Sequence, residues 1–337
     1  KELKTQEKPN PDRAVLLEID EKHQDQRLDN FLCSVCKGVP KSHVFRIIRS
    51  GEVRINRKRA EAKTKLCVGD VVRVPPIKVV EKQDLDSLSL SAGLNKTQLL
   101  KAAADLPILF EDEHLLVVNK PSGMAVHGGS GSSFGLIECI RALRAETHQD
   151  LELVHRIDRE TSGILIISKK RSALRKLQEQ LRARSWKKYY RTLVLGHWPE
   201  ALRQVDLPLL KTQSGEKEAR VFVDESGDKA CTKFKVIQCY KSSYSSFTLI
   251  QAQILTGRTH QIRVHTSANK FPIAGDDRYG NFEMNKQLAR QGLKRMFLHA
   301  ARLQLVHPAT NETIVLEAPL APELDGFLKS LQAVQSR

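Results

Sequence analysis

LVHRIDRETSGILIISKK, residues Leu153 to Lys170, passes from a charged loop into an unbroken apolar strand. Asp158 stands between Arg156 and Arg159, and Thr161-Ser162-Gly163 turns the chain into Ile164 to Ile167. Flanking guanidinium groups favour the carboxylate anion, and the strand gives the loop a rigid backing, an arrangement suited to a catalytic aspartate. Taken alone, R-I-D-R describes an ion-paired surface loop just as well. The surrounding sequence decides between these readings.

The chain has 337 residues, 40% of them hydrophobic, which is more than one ordinary core accommodates and predicts two domains. A formal charge of +16 with only 5% aromatics points to a polyanionic partner, nucleic acid first. The six cysteines, at 33, 36, 67, 139, 231 and 239, follow no regular framework and read as reduced thiols of a cytoplasmic protein. Cys33-x-x-Cys36 lacks a second pair and lies in a helix-like stretch, so a zinc site is not expected. No apolar run has membrane-spanning length, and the opening KELKTQEKPNPDR precedes no apolar segment, so no membrane partner or secretion signal is read.

The first organised segment runs from about Val15 to Pro76. Leu28, Phe31, Leu32 and Val35 recur at helical spacing, and a second helix after Pro40 carries Val44, Phe45, Ile47 and Ile48. Gly51 ends that helix, and the short strands Val53 to Ile55 and Val71 to Val74 follow. Between Lys37 and Lys65 stand ten Lys or Arg against two acidic residues, Glu52 and Glu61. Such a density reads as a phosphate-contacting face, with Lys41, Arg46, Arg49, Arg54, Arg57, Lys58 and Arg59 as its candidate contacts. RLDNFL, KSHVFRIIRSGEVRIN and VGDVVRV, falling in this order, resemble the S4 domain, an RNA-binding module. We therefore expect a charged, disordered tail over 1–14, an S4 unit over 15–80, and a linker over 81–104 with a short helix from Thr97 to Ala104.

The second domain, 105–337, opens on ILFEDEHLLVVNKP, two β-rich runs around an acidic turn. GGSGSSFG then reads as a mobile loop at the mouth of a site, leading into a helix from Leu136 to Arg144; it lacks the marks of a phosphate or dinucleotide loop. After Asp158, a basic helix from Lys169 to Arg184 buries Leu174, Leu177 and Leu181, with nine basic residues against one acidic between Lys169 and Lys188. Further β-rich runs follow at Lys187 to Gly196 and Phe247 to Leu255, and Arg302 to Val306 pairs with Thr313 to Glu317. Many strands and few helices predict an α+β domain on a large mixed, mainly antiparallel β-sheet. In Leu255-Thr-Gly-Arg-Thr-His-Gln-Ile-Arg-Val-His265 the histidines are five apart with no glutamate between, so no metal is expected, and they read as hydrogen-bonding groups in a polar turn. Arg258 and Arg263, read at the end of a strand, can meet phosphate or carboxylate bidentately.

VHRIDRETSG, NKPSGMAVH, YRTLVLGH and HQIRVH together closely resemble the signatures of the RluA-type pseudouridine synthases, and the likeness spans nearly the whole chain. The resemblance implies that Asp158 is the catalytic aspartate, Tyr190 the active-site tyrosine, Arg263 the arginine paired with that aspartate, and Arg156 the residue entering the RNA stack as the base leaves. Tyr189 adjoins Tyr190, and a slip of one residue would exchange them. It also implies isomerisation of uridine in large-subunit (23S) ribosomal RNA; nothing in the sequence demands more than a monomer, and Arg258 is read among the RNA contacts. Breaking N1 to C1′ and joining C5 to C1′ involves no redox change and no added group, so no cofactor is expected. The carboxylate would attack sugar or base, or remove a 2′ proton, and these routes stay open. The nucleotide must first leave its stack, costing a few kcal/mol. Two other readings share these features: the same chemistry on transfer or small-subunit RNA, and a non-catalytic RNA-binding assembly factor. A kinase HRD loop is excluded by Ile157 and by the missing glycine-rich loop.

Overall fold

In the computed structural model of the protein, the described residues are 13–36, 39, 41–77, 96–128, 135–145, 150–212 and 220–334. The expected tail lies almost wholly outside them, as do 81–95 of the expected linker, 129–134 of the expected mobile loop, and the side chain of Lys41. The chain divides into two compact units, Lys1–Ser89 and Leu90–Arg337.

The first unit contains β1 (Val15–Glu18), α1 (Leu28–Val35), α2 (Lys41–Arg49), β2 (Arg54–Ile55), β3 (Lys58–Arg59) and β4 (Val71–Val74). Its antiparallel sheet has the order β1-β4-β2-β3. Leu28, Phe31 and Leu32 meet Val44, Ile47 and Ile48 over a floor of Val53, Leu66, Val72 and Val74. Phe45 was expected among them but is exposed, because residues 44, 47 and 48 already form the buried stripe and 45 lies about 100° round the helix. Asn56 and Arg57 both have positive φ, 49° and 68°, which makes the tight hairpin turn that carries Arg57 at its tip. Arg54 faces Arg59 on one side and Arg73 on the other, in register. Each like-charge pair costs roughly 0.2–1 kcal/mol, which a core gaining about 1.5–3 kcal/mol per buried Phe or Leu tolerates easily.

The second unit contains α3 (Lys96–Ala104), β5 (Ile108–Glu111), β6 (Leu115–Lys120), α4 (Leu136–Leu143), β7 (Glu152–Leu153), β8 (Ser162–Ser168), α5 (Arg171–Arg182), β9 (Lys187–Leu195) and β10 (Gln204–Asp206). It continues through β11 (Leu209–Lys211), β12 (Val221–Val223), β13 (Cys231–Lys241), β14 (Ser246–Ile254), α6 (Gln261–Ala268), α7 (Phe282–Arg290), β15 (Leu298–Val306), β16 (Thr313–Glu317), α8 (Pro322–Ser330) and β17 (Gln332–Val334). The large sheet runs β10-β13-β14-β9-β15-β8-β6-β5, with β16 on β15, β17 on β13 and β7 on β8. Among the described residues its pairings are antiparallel except β8 with β15. The expected hairpin and the pairing of Arg302 to Val306 with Thr313 to Glu317 are both present. α3 is more than a piece of linker, since Ala103 and the following Leu106 are buried in the core of this unit.

β8 is buried over its whole length, and its alternation assigns each face a partner. Leu165 and Ile167 pack with Leu136, Ile137 and Ile140 of α4, while Ile164 and Ile166 pack with Leu174 and Leu177 of α5. Gly163, at φ 112°, lies so close to β15 that a Cβ there would sit 2.3 Å from the Ala300 carbonyl oxygen. The loop carrying Asp158 therefore enters a strand fixed on both faces and at both edges. No helix among the described residues is long and apolar enough to cross a membrane.

Candidate active site

Asp158 lines a cleft of about 490 Å³ formed by the loop before β8, the end of α5, the start of β9 and the segment from β14 into α6. Among the described residues, six basic side chains share the lining, namely Arg156, Arg182, Arg184, Lys188, Arg258 and Arg263, with Asp158 as its one carboxylate. Tyr190 also lines the cleft, and Tyr189 does not, because adjacent residues on a strand face opposite ways. Tyr189 instead lies under the Arg302 guanidinium, 5.8 Å from its ring. Burial, and then the Asp158 charge, push the Tyr190 phenol above its usual range, so it remains a neutral donor.

The Asp158 loop is clamped by the NKPSG segment. Lys120, 1% exposed, donates to the carbonyls of Pro121, Met124 and Arg159 at 2.8, 2.9 and 3.0 Å. Burial lowers its pKa to about 7, against the pull of Glu160. Ser122 Oγ donates to Glu160 O, the Gly123 N–H to Arg159 O, and Arg159 Nε back to Gly123 O. On the other side of the loop, the N–H of Ile166 donates to His155 Nε2 at 3.1 Å, and the His155 ring packs edge-on against Trp186. At the start of β8, Ser162 bridges His299 Nδ1 and the Arg295 guanidinium, each at 2.8 Å.

Arg263 departs from the pairing expected of it. HQIRVH, expected as part of a polar turn after a strand, is the first part of α6, entered through His260 in the left-handed region at φ 54°. A helix places Arg263 one turn inside, where Nε and Nη2 donate bidentately to the buried Asp276 at 2.8 Å each. Asp158 reaches Arg263 as a nearby charge and makes no hydrogen bond or ion pair to it. Burial opposes the charge on both partners. The Asp276 hydrogen bonds and charge nevertheless hold Arg263 above its usual range, and Arg263 together with the N–H groups of Tyr279 and Arg278 holds Asp276 below the carboxylate range. Losing either partner of such a pair costs about 3–5 kcal/mol, because the other is left buried and charged. Arg263 also stacks over Tyr279 at 5.0 Å, and the Tyr279 hydroxyl meets His260 Nδ1 at 2.8 Å.

The remaining candidates separate by their partners. Arg156 is exposed at the cleft mouth and, among the described residues, its side chain has no hydrogen bond or ion pair. Arg258 is held by Asp228 at 2.9 Å. Arg46, Arg49, Arg54, Arg57, Lys58 and Arg59 are all exposed on the first unit, with Arg59 donating to Ser50 O and Arg46 beside His43. No group of metal-ligating side chains is found among the described residues. Sequence reasoning missed Asp276 and the clamp made by Lys120. A second aspartate thirteen residues after Arg263 in a basic chain was the available signal for the first. Nothing in the sequence marks an interior lysine as a carbonyl clamp.

A carboxylate in a cationic cleft, backed by a rigid strand and faced by a neutral phenol, suits an enzyme that acts on a polyanion. The chain is a member of the RNA pseudouridine synthase family. The pattern of that family, described as RNA pseudouridylate synthase, matches residues 114–268, which include Asp158, Tyr190 and Arg263, and the S4 domain pattern matches 26–72. The Ribosomal large subunit pseudouridine synthase C of Vibrio vulnificus is 50% identical over 320 residues, 95% of this chain and 97% of that protein. Its counterpart from Escherichia coli K12 is 51% identical over 311 residues, 91% and 93% of the two. Among solved structures, Human RNA Pseudouridylate Synthase Domain Containing 4 covers 72% of this chain and 99% of its own at 25% identity, with a TM-score of 0.56.

Proposed function

We propose that this protein isomerises uridine to pseudouridine in large-subunit ribosomal RNA, acting as a cytoplasmic monomer, with Asp158 as the reacting carboxylate. What carries this reading is Asp158 as the one acid with six cations in the described lining of one cleft, in a chain half identical to large-subunit ribosomal RNA pseudouridine synthases. The surrounding cations draw the RNA backbone to the carboxylate, which attacks sugar or base or removes a 2′ proton. Tyr190 lays its ring against the uracil and offers a neutral hydroxyl near the departing C5 proton. Arg263, held by Asp276, supplies fixed positive charge behind Asp158. Arg156, whose side chain has no partner among the described residues, enters the RNA stack as the nucleotide flips out. Arg258 adds a phosphate contact at the rim. In the S4 unit the exposed arginines and lysines from Arg46 to Arg59 hold phosphates without reading sequence, and Lys41 joins them.

Bond accounting makes the reaction testable. N1–C1′ breaks, C5–C1′ forms, N1 gains a proton, and the hydrogen on C5 is released. Large-subunit ribosomal RNA tritiated at uridine C5 is expected to lose label with wild type and not with Asp158→Ala, which still binds RNA. Release by the variant near the wild-type rate would remove Asp158 from its role, and no release by wild type would remove this RNA as substrate.

A further inference from the structure

Four of the six cations in the cleft lack an acidic partner among the described residues, and three of these cluster at one corner. Among the described residues, Arg182, Arg184 and Lys188 make no ion pair and no side-chain hydrogen bond, whereas Arg258 and Arg263 are held by Asp228 and Asp276. The corner is the turn from α5 into β9. Arg184 occupies it at φ 55°, a left-handed position after a helix end where glycine is the usual residue. A chain needing only the turn would place glycine there at lower conformational cost. An arginine adds a guanidinium at the cleft wall. Lys188 and Tyr190 lie two residues apart on β9, on one face and separated by about 7 Å. With the target base against Tyr190, the ammonium of Lys188 stands one strand step away, about where the phosphates of the same nucleotide must pass. Its neighbour on the wall is the Trp186 ring, 5.4 Å away, which supplies no counter-charge.

We infer that Arg182, Arg184 and Lys188 form a clamp for the RNA phosphodiester backbone beside the flipped nucleotide. This rests on the uridine-isomerase reading of the cleft and adds the path of the strand through it. Burial alone lowers Lys188 to about pKa 8, a loss of charge that a neighbouring phosphate would reverse.

The test compares salt dependence of binding to a large-subunit ribosomal RNA transcript. Replacing all three residues by Gln is expected to flatten the slope of log affinity against log salt by about 2 to 3, since each phosphate contact contributes about 0.7–0.9. The exchange Arg182→Lys, Arg184→Lys and Lys188→Arg should retain the wild-type slope. Arg175→Gln, exposed on α5 outside the cleft, is the control. A triple-Gln slope equal to wild type, or a loss no larger than the control's, overturns the clamp. Tritium release by wild type, measured on the same transcript, separates the two readings. Release with an unchanged triple-Gln slope overturns the clamp alone, whereas neither release nor binding by wild type overturns the clamp together with the reading beneath it.

Discussion

The S4 unit and the catalytic cleft both gather arginine, yet they treat it in opposite ways. On the first unit Arg54 stands in register between Arg59 and Arg73, and their guanidiniums donate to the backbone carbonyls of Gly51, Ser50 and Glu52 with no carboxylate partner among the described residues. In the cleft Arg263 is fixed by two hydrogen bonds to a buried carboxylate before any substrate binds. Solvated charges give affinity that salt screens and that no single residue dominates. A charge fixed in advance favours one geometry, and its loss is felt in the rate. In the proposed function the same residue type serves attachment in one unit and chemistry in the other.

The largest effect should come from breaking the fixed charge. Asp276→Asn is expected to lower turnover of RNA-saturated enzyme roughly 100-fold by misplacing Arg263, and to destabilise the fold by about 3–5 kcal/mol. Turnover per folded molecule, counted by titrating bound RNA, separates the two; an unchanged value would reduce Asp276 to a structural role. A smaller effect is expected on the solvated side. Replacing Arg54, Arg57 and Lys58 by Gln should raise KM and flatten the salt slope by about 2 to 3 while leaving kcat alone. A fall in kcat with an unchanged slope would erase the distinction between the two regions.

The smallest effect concerns pH. Burial first of all lowers His155 to about 3 and His299 to about 4, from an ordinary 6.5. The unfolded chain takes up these protons near pH 6.5 and the folded one does not, so their contribution to stability is complete above that value and is lost as pH falls toward 4. Melting temperature should accordingly drop from about pH 7 to pH 4.5. His299→Gln, which can keep the Ser162 hydrogen bond, should shallow the drop, and an equally steep drop in this variant would contradict the assignment.

Much of the fold was legible because its signals are local. The 28, 31, 32 and 44, 47, 48 stripes, the hairpin at 108–120 and the apolar run 164–167 each announce their element within a few residues. Phe45 and HQIRVH were misread for different reasons. Phe45 lies off a helical stripe that 44, 47 and 48 already complete, whereas HQIRVH is a polar segment that forms a helix whose arginine finds a buried partner distant in sequence. α3 was only partly read, as a short helix in a linker, since its burial depends on core residues contributed later in the chain.

By itself the sequence determined that Asp158 lies in a charged loop ahead of a strand, that the chain is cationic, and that an RNA-binding unit precedes a β-rich one. Only the tertiary structure decided that Tyr190 rather than Tyr189 faces Asp158, that Arg263 is held by Asp276, and that Lys120 clamps the Asp158 loop. These outcomes depend on which face of β9 meets the cleft and on which buried charges find partners. Such choices are made when distant segments pack, because an unpaired buried charge costs more than any local preference can supply.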